Sequence, residues 1–174
     1  MSAFGKYNSR RSDVLGLNGS IATSHPLAAN AGLDILKKGG NAIDAAIAAA
    51  AALNVVEPMS TGIGGDVFAL IYLNSDSQII ALNGSGRSGS KGDLQHFIDK
   101  GFRDIPSEGP SSGLSVSVPG AVDAWEELSK KYGNFSLDTI LAPAIDLAIN
   151  GFPVSEIIAD YWYCLLYTSP SPRD

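Results

Sequence analysis

Residues Ala42–Val56 read AIDAAIAAAAALNVV, a stretch in which only Asp44 and Asn54 are polar. A helix that is apolar nearly all round must be covered on every side, and its alanines let neighbouring backbones approach closely. The unbroken apolar run, Ala45 to Leu53, is far shorter than the ~20 residues needed to cross a bilayer. The stretch therefore predicts the central helix of a globular core. Asn41 is placed to cap it and Asp44 puts negative charge in its first turn. Glu57-Pro58 ends it, because the residue before proline is driven out of helical geometry.

Around this helix the pattern alternates between helical and strand-like segments. Leu27, Ala31, Ile35 and Leu36 form a helical stripe over Leu27 to Lys38. Pro26 suits its first turn, and Lys37-Lys38 before Gly39-Gly40 form a cationic last turn and a stop. Val67 to Leu73, VFALIYL, is continuously apolar and predicts a central strand covered on both faces. The cluster Asn74-Ser75-Asp76-Ser77 turns the chain into a second strand, Gln78 to Leu82. A polar helix is expected at Asp93 to Lys100 and a Pro/Gly/Ser loop from Arg103 to Gly113.

Pro119 to Tyr132 predicts an amphipathic helix with Val122, Trp125 and Leu128 on its apolar face. The pairs Glu126–Lys130 and Glu127–Lys131 should support it, and Gly133 should stop it. A further helix is expected from Ser136 to Asn150, split or kinked at Pro143 and stopped by Gly151. Trp125 and Trp162 are read as packing residues and His96 as a surface residue. His25, before a proline at a helix start, is read as structural.

Composition removes several classes of function. A net charge of −6 and a pI near 4.8 argue against a sequence-independent nucleic-acid binder. The single cysteine, Cys164, allows no internal disulfide and no thiol cluster for zinc, and two histidines are too few for a histidine-based metal site. The first residues lack an apolar segment after their basic pair, so a cytoplasmic location is expected, with export left open. Residues 1–11 are expected to be a disordered tail. The last residues, CLLYTSPSPRD, carry no period and end in alternating serine and proline. Residues 161–174 are therefore expected to be a non-native tail, read through from a cloning or sequencing adaptor.

The stretch PMSTGIGGDVF, Pro58 to Phe68, resembles a phosphate-binding glycine loop in composition but not in order. Such loops follow a strand and open a helix, so that backbone N–H groups face the anion. Here a helix precedes and a strand follows. The expectation is a tight connection feeding the strand, with Ser60 and Thr61 as local turn or capping hydroxyls.

ATSHPLAANAGLDILKKGGNAIDAAIAAAAALNVVEPMSTGIGGDVFALIY, Ala22 to Tyr72, closely resembles the start of the gamma-glutamyltransferase family. LNGSGR (Leu82 to Arg87), SVSVPGAVDAWEEL (Ser115 to Leu128) and LAPAIDLAINGFPVS (Leu141 to Ser155) match in the same order. The resemblance covers about Ser12 to Asp160 and identifies 12–160 with the N-terminal part of the family's large subunit. It implies an α+β fold: the N-terminal-nucleophile hydrolase four-layer αββα sandwich, incomplete here. It also implies a precursor that cuts itself into two subunits, exposing an N-terminal threonine that attacks a gamma-glutamyl amide such as glutathione. The threonine's own amine would be the base. No metal or organic cofactor and no membrane partner is implied. The expected partners are the gamma-glutamyl substrate and the remaining C-terminal part of the same precursor.

No catalytic residue is expected in this chain, because the family's nucleophile lies further along and none of the threonines here stands at its position. The resemblance carries over one functional residue. The family's arginine after the second strand binds the substrate α-carboxylate and corresponds to Arg87. Its planar fork can grip a carboxylate through two parallel hydrogen bonds, which lysine cannot do. Two departures stand out: Ser88 where well-studied members have an acid, and Asp66 where their glycine run continues. These features leave two further readings, an acylase of related amides, such as beta-lactam side chains, and a non-catalytic binding protein of the same fold.

Overall fold

A computed structural model describes residues 12–90, 92–106 and 109–168. Both expected tails lie partly or wholly outside these residues: all of 1–11, and 169–174 of the C-terminal one. The element order is α1 (Pro26–Lys37), α2 (Ala42–Val56), β1 (Val67–Leu73), β2 (Gln78–Gly84), α3 (Leu94–Asp99), α4 (Ala121–Tyr132), α5 (Leu137–Asn150) and α6 (Glu156–Thr168). It is a mixed helix-and-sheet fold. The helix α6 runs across the expected boundary at residue 161.

Helix α2 is the centre of the core, with Ile43, Ile47, Ala48, Ala52 and Val56 buried. Around it pack Ala28, Ala31 and Ile35 of α1, Trp125 and Leu128 of α4, and Ile140 and Ala144 of α5. Fully burying a side chain such as Ile35 or Ile140 contributes about 1.5–3 kcal/mol. The close approach that alanine permits is realised at Gly32 of α1, where a Cβ would stand 2.7 Å from the Ala45 carbonyl oxygen.

Capping fixes the start of α2. The Asn41 side chain accepts from the N–H of Ile43 (2.9 Å) and Asp44 (3.1 Å), while Asp44 Oδ2 accepts from Asn41 N–H at 2.9 Å. These form a capping box. Asp44 reaches further than its position in the first turn suggests. It is fully buried, and both its carboxylate oxygens accept from Asn134 N–H, at 3.2 and 3.0 Å. Asn41 Nδ2 donates to the Tyr132 carbonyl at 2.6 Å, so the start of α2 is tied to the α4–α5 turn.

Strands β1 and β2 form an antiparallel hairpin with Val67 opposite Gly84 and Leu73 opposite Gln78. One face lies on the helices through Val67, Ala69, Ile71 and Leu82. The expectation that β1 is covered on both faces is not met. Phe68, Leu70 and Tyr72 are 67, 81 and 60% exposed, because the core helices α1, α2, α4 and α5 pack against the other face.

Several helical details also differ from expectation. Helix α5 is not split at Pro143. Its packing on α2 through Ile140 and Ala144 outweighs the lost hydrogen bond of the proline. In α4 the buried face is Ala121, Ala124, Trp125 and Leu128, while Val122 is exposed. Lys130 pairs with Glu126 at 2.6 Å, which raises the lysine pKa, but Lys131 lies by the Tyr132 ring, 5.9 Å from its centroid. Trp162 is exposed rather than packed in a core. Part of the expected Arg103–Gly113 loop belongs to a 3-10 helix, Gly109–Ser115.

Candidate functional site

The start of β1, the end of β2 and the start of α4 meet at one corner, and the meeting is made almost entirely of backbone. Gly65 N–H donates to the Gly62 carbonyl at 3.0 Å, which closes the glycine turn ahead of β1. The Gly65 carbonyl then accepts from Gly120 N–H (3.2 Å) and Ala121 N–H (3.1 Å). The first N–H groups of a helix lack intrahelical partners, and here the glycine loop supplies an acceptor. The loop thus caps α4 with a carbonyl and is a connection into the strand, as its order in the chain indicates.

Glycines are required at this corner. A Cβ on Gly120 would stand 2.6 Å from Gly86 N and closer still to the Gly84 carbonyl oxygen. Gly86 has φ +71°, and a Cβ there would run into the Val118 carbonyl oxygen. Gly84 lies opposite Val67 with Ala124 of α4 directly behind it.

Arg87 follows this corner immediately, on an exposed loop beyond the last ladder pair. Its carbonyl accepts from Val118 N–H at 2.8 Å. The next residue back, Ser117, donates its hydroxyl to Asp66 Oδ1 at 3.3 Å. The structure therefore brings Arg87 and Asp66 to the two sides of the short segment 117–118. Sequence reasoning noted both residues and placed Ser117 and Val118 inside the SVSVPGAVDAWEEL match, but gave them no role, because no local pattern marks contacts with Asp66, 51 positions back, or Arg87, some 30 back.

Behind the corner lies a cavity of about 280 Å³ between α2, the glycine loop and α4, bordered by Leu53, Asn54, Thr61 and Trp125. The Thr61 hydroxyl is buried without a partner among the described residues, so it is not the capping group expected. The turn at Ser60 and Thr61 is closed by backbone instead, both N–H groups donating to the Glu57 carbonyl at 2.9 and 3.2 Å. His25 is structural: buried, it caps α1 by accepting from Leu27 N–H on Nδ1 at 3.1 Å. Beside it, Ser24 Oγ donates to Glu57 Oε2 at 2.7 Å, tying the start of α1 to the end of α2. His96, partly exposed, stands edge-on to Phe97. No described helix is long and apolar enough to cross a membrane.

Comparison with known proteins matches this arrangement to one family. The sequence model for gamma-glutamyltranspeptidase matches residues 28–167. The glutathione hydrolase proenzyme of Bacillus subtilis (strain 168) is 41% identical over 157 residues, covering 88% of this chain and 26% of the relative. The solved cephalosporin acylase of Bacillus halodurans superposes with a TM-score of 0.82 at 50% identity, over 92% of this chain and 29% of that one. The solved gamma-glutamyltranspeptidase of Helicobacter pylori gives 0.79 at 36% identity, over 88% and 44%. The chain spans about a quarter of the length of the curated relatives it matches. It belongs to the gamma-glutamyltranspeptidase family.

Proposed function

We propose that this chain is the N-terminal part of a self-cleaving precursor that hydrolyses or transfers gamma-glutamyl groups from amides of the glutathione type. The observation that carries the reading is the family match over 28–167. Residues 12–160 supply the N-terminal part of the large subunit, and the nucleophilic threonine comes from the C-terminal part. In the four-layer sandwich of this reading, the helices belong to an outer layer, and the open face of the hairpin meets a second sheet.

Arg87 is the substrate-binding residue of the proposal. Its backbone is anchored to Val118 while its side chain is exposed at the end of β2. A permanently charged fork in that position can hold the substrate α-carboxylate through two charge-assisted hydrogen bonds. The chemistry then runs on the threonine, activated by its own amine, with an acyl-enzyme resolved by water or an acceptor amine.

A second reading, an acylase of related amides, is favoured by one observation. The Bacillus halodurans cephalosporin acylase is 50% identical over 92% of this chain, against 36% for the Helicobacter pylori gamma-glutamyltranspeptidase. The test is to express the complete precursor, confirm cleavage to a subunit starting with threonine, and compare gamma-glutamyl with glutaryl anilides. These differ only in the α-amino group. Faster turnover of the gamma-glutamyl anilide supports the first reading; turnover of the glutaryl compound alone supports the acylase. A precursor that neither cleaves nor turns over either compound contradicts both.

A further inference from the structure

We infer that Asp66 and Ser117 are positioning residues that hold the Arg87 backbone in register for a substrate carboxylate. The inference rests on the reading of Arg87 given above. Arg87 lies beyond the Val67–Gly84 pair that ends the ladder, so no strand partner among the described residues fixes it. Val118 takes that place, donating its N–H to the Arg87 carbonyl at 2.8 Å. The Val118 carbonyl in turn abuts Gly86, at a point where no Cβ would fit.

The segment that holds Arg87 is itself fastened on its other side. The Ser117 hydroxyl donates to Asp66 Oδ1 at 3.3 Å, and Gly120 and Ala121 donate to the Gly65 carbonyl at 3.2 and 3.1 Å. Segment 117–121 thus bridges the start of β1 and the exit from β2. The Ser117–Asp66 bond is the side-chain link in that bridge, one residue from the bond that reaches Arg87. The direction of the long arginine side chain follows from its backbone, and small misplacements of a binding group weaken capture out of proportion to their size. An acid at position 66 is therefore assigned a holding role, acting on the substrate only through Ser117, Val118 and Arg87.

The test uses the complete precursor with Ser117→Ala, Asp66→Ala, Asp66→Asn and Arg87→Ala. Each is assayed on gamma-glutamyl, glutaryl and 4-aminobutyryl anilides, which carry carboxylate and ammonium, carboxylate alone and ammonium alone. The Ser117–Asp66 bond is exposed and long at 3.3 Å, and the weak end of the hydrogen-bond range corresponds to about a two- to threefold effect. Ser117→Ala and Asp66→Ala are expected to raise KM by that factor on both carboxylate substrates, with kcat and 4-aminobutyryl turnover unchanged. Asp66→Asn keeps an oxygen that accepts from Ser117 and is expected to behave as wild type. Should Asp66→Ala fail to mature, Ser117→Ala decides alone.

Equal losses on all three substrates would show a merely structural role and overturn the inference. Loss of gamma-glutamyl but not glutaryl turnover in Asp66→Asn would show direct contact with the ammonium and overturn it as well. If Arg87→Ala removes the preference for carboxylate substrates while Ser117→Ala leaves KM unchanged, the inference fails and the Arg87 reading stands. If Arg87→Ala leaves that preference intact, the Arg87 reading itself fails and takes the inference with it.

Discussion

Leu70 lies opposite Ala81 in the β1–β2 ladder, and both face away from the helices. With Phe68, Tyr72 and Ile79 they form an open apolar face on a two-stranded sheet whose edges are also unpaired among the described residues. Such faces and edges drive association. The 174-residue chain alone is expected to be polydisperse in size-exclusion chromatography with light scattering. Leu70→Lys combined with Tyr72→Thr is expected to shift it towards monomer. Identical profiles for the two proteins would contradict this.

On that double-variant background, Asp44 can be tested for its part in the core. Its buried carboxylate accepts from the N–H groups of Asn41 and Asn134, and so joins α2 to the α4–α5 turn. Asp44→Ala would leave both donors without their acceptor, at about 1–3 kcal/mol each. A clear fall in the urea midpoint is expected, with Asp44→Asn intermediate. An unchanged midpoint for the alanine variant would show that the clamp contributes nothing.

These two regions show where sequence reading succeeds and where it stops. The limits of α2 follow from Asn41 and Glu57-Pro58, because capping and the proline restriction act within a few residues. The apolar run Val67 to Leu73 says that both strand faces suit burial, but not whether the described chain supplies both covers. The helices cover one face only. The second role of Asp44 and the bridge through Ser117 and Val118 depend on partners 90 and 51 positions away in the case of Asn134 and of Asp66–Ser117. No local period encodes such contacts. Arg87 became a candidate through family resemblance, since an exposed arginine on a glycine-rich loop carries no signal of its own.

At the start of α5, Asp138 gives a pH dependence with a defined sign. The Ser136 hydroxyl, and then the backbone N–H groups of Asp138 and Thr139, hold its carboxyl below the usual aspartate range. A lowered folded-state pKa contributes stability above the unfolded value, and that contribution is lost as pH falls through the folded value. Asp138→Asn should therefore lower stability slightly at neutral pH and flatten its decline below about pH 4. A decline as steep as that of the parent would contradict the assignment.

The backbone corner should tolerate almost no added volume. In Gly120→Ala the new methyl would meet the Gly84 carbonyl oxygen and Gly86 N. Overpacking of this kind typically costs about 1–3 kcal/mol. Melting of the complete precursor is expected at a lower temperature, whereas Gly62→Ala, where a Cβ would meet nothing within 4 Å, should melt close to wild type. Equal melting temperatures for the two variants would show that the corner is looser than its geometry implies.

The central claim is that Arg87 holds the substrate carboxylate, and Arg87→Lys in the complete precursor tests it most directly. Lysine keeps the charge but replaces a two-pronged donor with a point charge, so one of two charge-assisted hydrogen bonds is lost. Each contributes roughly 1.5–3 kcal/mol, so kcat/KM on a gamma-glutamyl anilide should fall at least ~10-fold. Self-cleavage should proceed as in wild type, because it needs the threonine and not the substrate carboxylate. Normal self-cleavage together with wild-type kcat/KM would show that Arg87 is not the carboxylate clamp.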